Sequence, residues 1–508
     1  MTLRYKDLLK LIYPVVLGLV TIMIVMRSGW LFSPSYAQEP NKTTLFPSYP
    51  NCRFGITLGS HFTPFDNNDL NSLNAGWYVN WSTAESLDEP DNIEHVNMVR
   101  LEARPGGYIS NPDPAALMTE VAAKSGQVWF IGNEPDSIWQ DTLDAATYAE
   151  AYHDLYYLIK GVDSTARVGI GGIVQPTPLR FQYLDIIWAT YQTNYQEDMP
   201  VDIWNIHSFI LREISADHPL ANNGNPKYDI WGAYIPPGPE FDGIYEGILY
   251  DIRDQDNLTI FWQRIVDFRQ WMAEHDQRNK PLIITEYGVL FPEDFLDEDG
   301  IPLSQARVSV FMRDGFELML HGKDAVLGYP YDDQRLVQGW AWFSLDGDPF
   351  VWGGSLFDPS TGQIRGLGQA YRDYTGLLTP TVSIRPAMVE SLPAVHLSSG
   401  SPVTFILMAH IANSGNISST FPITVSFYQG DPQSPGPLIG QPHVITQSLA
   451  GCGGHTTIST NWADVTTGAH PFFVQVESVD GTLNIPQILT GSVLVATDQL
   501  FLPLISKN

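Results

Sequence analysis

Between Cys52 and Gly376 the chain repeats one pattern eight times: a short apolar run, a polar end, then a longer connecting stretch. The runs are RFGITLG, AGWYVNW, VNMVRLE, QVWFIGN, ARVGIGGI, VDIWNIHSF, PLIITEYG and GWAWFSL. A strand covered on both faces reads as a continuous apolar run, and alternation of such runs with amphipathic stretches builds a parallel sheet. Two of the connections show a helical stripe: Tyr148, Tyr152, Leu155, Tyr156 and Ile159 in one, Phe261, Trp262, Ile265, Phe268, Trp271 and Met272 in the other. Such stripes face a core rather than a ligand. Eight strand–helix units in a segment of this length predict an α/β fold of the (β/α)8 TIM-barrel type. An open doubly wound sheet fits less well. Gly169, Gly171 and Gly172 imitate a nucleotide-binding glycine motif, but Val174 stands where the third glycine belongs.

The flanks are different in kind. Arg4, Lys6 and Lys10 precede an apolar run from Leu11 to Met26 and a Ser35-Tyr36-Ala37 end with small residues at both recognition positions. That pattern is an export signal cleaved near Ala37, and the run is shorter than the ~20 residues that span a bilayer. An uncleaved membrane anchor, helped by Arg27 and Trp30, is the alternative. Residues 1–37 are therefore read as signal peptide or anchor, 38–51 as linker and 52–378 as barrel, with the body secreted or at the cell surface. From Pro380 the chain turns rich in Ser, Thr, Gly and Pro, with alternating runs such as PVTFILMAHIAN and HPFFVQVES. This predicts an immunoglobulin-like β-sandwich over 380–508. Cys52 and Cys452, the two cysteines, are a candidate pair in an oxidising compartment, or else two separate thiols.

Charge narrows the partners. The chain carries 56 acidic against 27 basic residues, a net −29, while only 16% of it is charged. Scarce lysine and arginine leave nothing to neutralise phosphates, so nucleic acid is excluded and a neutral ligand is favoured. The histidines are scattered without H-E-x-x-H spacing, and no metal or cofactor is expected. No G-x-S-x-G elbow follows a strand, which disfavours a serine hydrolase.

In such a barrel the chemistry gathers where strands end at the C-terminal face. The fourth run ends in Asn133-Glu134-Pro135 and the seventh in Glu286. A carboxylate at a buried strand end is costly unless it is paired or employed, and two opposed carboxylates are the machinery for cleaving a glycosidic bond. Taken singly, each glutamate reads equally as a helix cap or a partner of Arg100. His207 ends the sixth run. Arg100, near the end of the third, is placed to hold Glu286 ionised, or to pair with Glu102. Trp77, Trp81, Tyr287, Trp340 and Trp342 offer flat faces to sugar rings, although alternation sends only some of them to the mouth. A long segment, Arg212 to Asp256, carries Trp231, Tyr234, Phe241, Tyr245 and Tyr250 and is expected to overhang the cleft. The competing reading is a non-catalytic polysaccharide-binding surface protein.

These strand ends resemble the clan of retaining (β/α)8 glycoside hydrolases. The resemblance implies Glu134 as acid/base, Asn133 as donor to a sugar 2-hydroxyl and Glu286 as nucleophile, with His207 bonded to the nucleophile or to a sugar. Within the clan, WYVNW, IGNEPD, WNIHSF, ITEYG and WAWFS are similar to the alkali-sensitive-linkage-like catalytic domain of glycoside hydrolase family 128. Members of that family act on β-1,3-glucan, and the motifs cover most of residues 54 to 345. Families 39 and 5 are the alternatives. What this implies is a secreted enzyme that cleaves a β-linked polysaccharide without a cofactor.

Overall fold

The computed structural model describes residues 51–59, 72–84, 93–218, 232–348, 352–398, 400–478 and 486–496. The export segment, the linker up to residue 50, Trp231 and the last twelve residues lie outside the described residues.

All eight apolar runs are strands of one sheet. They are β1 (Phe54–Thr57), β2 (Trp77–Val79), β3 (Glu94–Arg104), β5 (Val128–Ile131), β6 (Arg167–Ile170), β7 (Trp204–His207), β8 (Leu282–Tyr287) and β9 (Gly339–Phe343). Their order is β6-β5-β3-β2-β1-β9-β8-β7, parallel throughout, and parallel bridges Gly169–Ile203 and Ile173–Ile206 join the two outer strands. The sheet is thus a nearly closed barrel of TIM type. One addition breaks the repeat: β3 runs on past the barrel into an antiparallel hairpin with β4 (Gly107–Asn111).

Among the described residues six helices accompany the strands, α1 (Pro114–Ala123), α2 (Ala145–Val162), α3 (Pro178–Tyr195), α4 (Leu258–Glu274), α5 (Gln305–His321) and α6 (Gly366–Thr375). The two stripes read from sequence are buried faces of α2 and α4. In α2, Asp144 caps the first turn through the Thr147 N–H, and Tyr148, Tyr152, Leu155, Tyr156 and Ile159 are buried. In α4, Asn257 accepts from Thr259 and Ile260, and all of the stripe but Trp262 is buried. Each such side chain contributes about 1.5–3 kcal/mol on burial, which fixes the helix faces to the sheet. The connections after β1 and β2 fall mostly outside the described residues.

The C-terminal region forms two sheets. β10 (Ile384–Leu392), β12 (Val403–Asn413) and β16 (Gly454–Val465) make the first. The second holds β11 (Val395–Leu397), β13 (Ile423–Asp431), β14 (Ser434–Leu438), β15 (His443–Ile445), β17 (Gly468–Ser478) and β18 (Gln487–Ala496). One apolar cluster, including Phe405, Leu407, Phe427, Trp462, Phe472 and Val493, draws on both. Cys52 and Cys452 are disulfide-bonded, with Cα atoms 6.1 Å apart. Beside them Arg53 forks onto Asp332 with two bonds of 2.7 Å and reaches the Ser414 carbonyl at 3.1 Å, while Tyr331 stacks on His455 at 3.9 Å. Cys52 and Arg53 precede β1, so the C-terminal sheets are fastened to the face of the barrel where strands begin. Among the described residues the opposite face is left open by these sheets.

Candidate active site

At that open face the end of β5 turns sharply. Gly132 has φ 87° and Glu134 itself φ 43°, a left-handed conformation that a glutamate adopts only when its surroundings hold it. The hold is visible: the Glu134 N–H donates to the Gly172 carbonyl at 3.0 Å, and the Asn133 N–H to Asp141 Oδ2 at 2.8 Å. Gly172 also makes room for the neighbouring strand end, since a Cβ there would stand 2.5 Å from the His207 ring.

His207 links the two glutamates. Its Nδ1 lies 2.8 Å from Glu134 Oε1 and its Nε2 3.6 Å from Glu286 Oε1, and the three groups offer atoms all within 4.8 Å of one another. Trp81 donates its indole N–H to Glu286 Oε1 at 2.6 Å. His207 is fully buried and Glu286 nearly so. Burial raises the Glu286 carboxyl, the His207 charge opposes that, and the nearby Glu134 carboxylate adds to it; the net effect pushes Glu286 up to about 7. For His207, burial alone favours the neutral ring, but Glu286 and then Glu134 outweigh it and hold the imidazole above its ordinary value. Glu286 and His207 are therefore coupled, the carboxyl raised toward neutrality by burial and the ring favoured in its charged form by the carboxylates beside it. Among the described residues it is also the one set of three such side chains close enough to hold a metal ion.

Of the two readings of Arg100, charge proximity to Glu286 holds and the pairing with Glu102 does not. Its Nε donates to Asp141 Oδ1 at 2.6 Å and a terminal nitrogen to Gln140 at 3.0 Å, so it contacts neither Glu286 nor Glu102. Glu102 pairs with Arg104 instead. Arg100 still faces the cleft, and its charge favours ionised Glu286 as the smallest of the effects on that group.

The cleft has a volume of about 270 Å³ and is bordered by Trp81, Arg100, Glu134 and Glu286 from the set expected on sequence grounds. Asn133 is buried just behind Glu134, its amide reaching Gln140 at 3.4 Å. Four expected sugar-binding aromatics are core residues instead. Trp77 packs inside the barrel near Cys52 and Phe130, against Gly55. Tyr287 and Trp340 face the helices, beside Phe261 and Phe316 respectively, and Trp342 binds the Gly354 carbonyl through its indole at 2.7 Å. For Trp340 and Trp342 the reason is strand parity: they share the outward face, while Phe343 on the other face lines the cleft. Trp77 points inward, but at the beginning of its strand, away from the cleft.

The residues that do line it beyond the expected set include Ser137, Trp139, Gln140, Phe209, Leu290, Phe343 and Trp352. Phe343 is the hub, with ring centroids 6.2 Å from Trp81, 5.7 Å from Phe209 and 6.4 Å from Trp352. Alternation from Trp342 signals Phe343, whereas Trp139 and Trp352 lie in loops that carry no pattern. The long segment after β7 does reach the cleft, through Gly232, and its Tyr234 packs on the cleft residue Trp139. It is anchored from beneath. Arg180 of α3, fully buried, donates to Asp136 at 3.0 Å, to Glu213 at 2.7 Å and to the Ala233 carbonyl at 2.6 Å.

Several solved structures resemble the chain. A subgroup II family 128 endo-β-1,3-glucanase from Pseudomonas viridiflava is 17% identical, covering 63% of this chain and 97% of that one, with TM-score 0.40. A second, from Sorangium cellulosum, is 19% identical over 64% and 98%, with TM-score 0.38. A subgroup I enzyme variant from Amycolatopsis mediterranei, in complex with laminaritriose and laminaribiose, is 16% identical over 63% and 98%, with TM-score 0.39. No protein-family model and no curated protein matches the chain.

Proposed function

We propose that the chain is a retaining glycoside hydrolase acting on a β-linked polysaccharide, with β-1,3-glucan as the substrate its motif resemblance nominates. The observation that carries this reading is the pair Glu134 and Glu286, delivered by two barrel strands to one aromatic-walled cleft and bridged by His207. Glu134, in the acid form, protonates the departing oxygen while Glu286 attacks the anomeric carbon. Water then enters, Glu134 takes its proton, and the water oxygen bonds the anomeric carbon as the glycosyl bond to Glu286 breaks, which restores both carboxyl groups. The 4.8 Å limit on the spacing of their nearest oxygens favours retention, because inversion leaves about 6.5–9.5 Å between carboxyl groups for a water. His207, touching Glu134 and facing Glu286, suits the handover of a proton between those states. Asn133 lies beside Glu134 with a weakly engaged amide, in keeping with a role toward the sugar 2-hydroxyl.

We read the C-terminal sheets as an immunoglobulin-like module and the protein as exported, a reading that the Cys52–Cys452 disulfide supports. The test is reducing-end release from laminarin, lichenan, xylan and mannan. Glu134→Ala and Glu286→Gly are each expected to lower kcat by roughly 10²–10⁴-fold on whichever glycan is cleaved, and the first-formed product is expected to keep the β anomer. Wild-type rates in both variants would sink the assignment. No cleavage of any glycan would leave the non-catalytic binder.

A further inference from the structure

Trp139 is 54% exposed, while the other described tryptophans are buried or partly buried. An exposed tryptophan is unusual enough to need a reason, since its large apolar face gains by being covered. It is also held in place. Its backbone N–H donates to Ser137 Oγ at 3.2 Å, and its ring meets buried Tyr234 edge-on at 5.7 Å and 74°. A flat, fixed, solvent-facing aromatic surface that borders a cleft matches the apolar C–H face of a pyranose ring.

Its position around the barrel says which sugar it meets. Glu134 stands at the end of β5 and Glu286 on β8, and the line between them divides the mouth. Trp81 and Phe343, from β2 and β9, lie to one side, with Trp81 bonded to Glu286. Tyr234, from the connection after β7, lies to the other, and Trp139, just past Glu134, packs against it. We propose that Trp139, braced by Tyr234, is a binding platform for the sugar on the leaving-group side of the cleaved bond. This rests on the hydrolase reading: the wall tied to the nucleophile holds the sugar under attack, and the wall carried just beyond the acid/base holds the one that departs.

The experiment compares laminarihexaose, which can place sugars on both sides, with 4-nitrophenyl β-laminaribioside, which places no sugar on the leaving-group side. In Trp139→Ala the ratio of kcat/KM on hexaose to that on the aryl glycoside is expected to fall about ten-fold, the worth of one aromatic contact. Trp139→Phe, which keeps a flat ring, is expected to restore most of it. An unchanged ratio in Trp139→Ala overturns the platform, as does no recovery in Trp139→Phe. Calorimetric titration of laminarihexaose into Glu286→Gln, with and without Trp139→Ala, separates this failure from failure of the hydrolase reading. Binding that weakens about ten-fold without Trp139, in a protein whose wild type cleaves nothing, keeps the platform and removes the hydrolase. Neither binding nor cleavage removes both.

Discussion

At the scale of single residues, the cleft is decided by who shares a proton with whom. Glu134, His207 and Glu286 were legible in the sequence because a polar side chain at the end of a buried strand costs free energy unless a partner or a reaction uses it. Their coupling was not legible. Sequence order cannot tell whether Arg100 or His207 touches the two glutamates; the structure gives that contact to His207 and pairs Arg100 with Asp141. The aromatic set misled for a related reason: parity along a strand says which residues share a face, not which face is inside. A charge test follows. His207 holds Glu286 down against burial, so His207→Gln, which keeps a polar side chain but removes the cation, frees Glu286 to rise further above 7. If Glu286 must be ionised to attack, the acid limb of kcat/KM against pH then moves to higher pH, while kcat falls by roughly 10²-fold or more. A pH–rate profile with an unmoved acid limb would show that His207 serves only packing.

Among the elements, the eight strands were readable because each is covered on both sides and so appears as an unbroken apolar run. The hairpin that prolongs β3 was not, since Glu102 to Arg104 are exposed and break the run. Nor was the anchor of the long β7 connection. A lone arginine on a helix surface ordinarily points to water, yet Arg180 is buried between Asp136, just past the Glu134 turn, and Glu213. It ties α3, the Glu134 turn and the Tyr234 segment into one unit. Removing one partner from such a buried cluster leaves its charges unpaired, so Arg180→Met is expected to destabilise the protein by about 3–5 kcal/mol. The same change should speed proteolytic cutting within 212–256 ahead of global unfolding. Thermal denaturation together with timed limited proteolysis checks both. A variant with parental stability and cutting pattern would mean the long connection is held by its other contacts.

The whole molecule separates its two faces. The strand ends carry the cleft, and the strand beginnings carry the C-terminal sheets, joined through Arg53, Tyr331 and a disulfide that spans 400 residues of sequence. The change in composition near Pro380 announced a stretch of short strands, but the side of the barrel on which those sheets sit was not legible, because the cysteines name a contact only once it is made. The surplus of 56 acids over 27 bases fits this layout, since a neutral glycan is indifferent to it. Because the covalent tie lies opposite the cleft, stability and turnover should come apart. A double Cys52→Ala, Cys452→Ala variant is expected to lose about 2–5 kcal/mol of stability, since a link closing so long a loop restricts the unfolded chain strongly. Its kcat on a short aryl glycoside at 25 °C should stay within about two-fold of the parent, the scatter expected for a site the change does not reach. Denaturant unfolding and initial rates on the same preparation decide it. A large fall in kcat with little loss of stability would show that the C-terminal sheets act on the cleft through the barrel, and not merely as a brace beneath it.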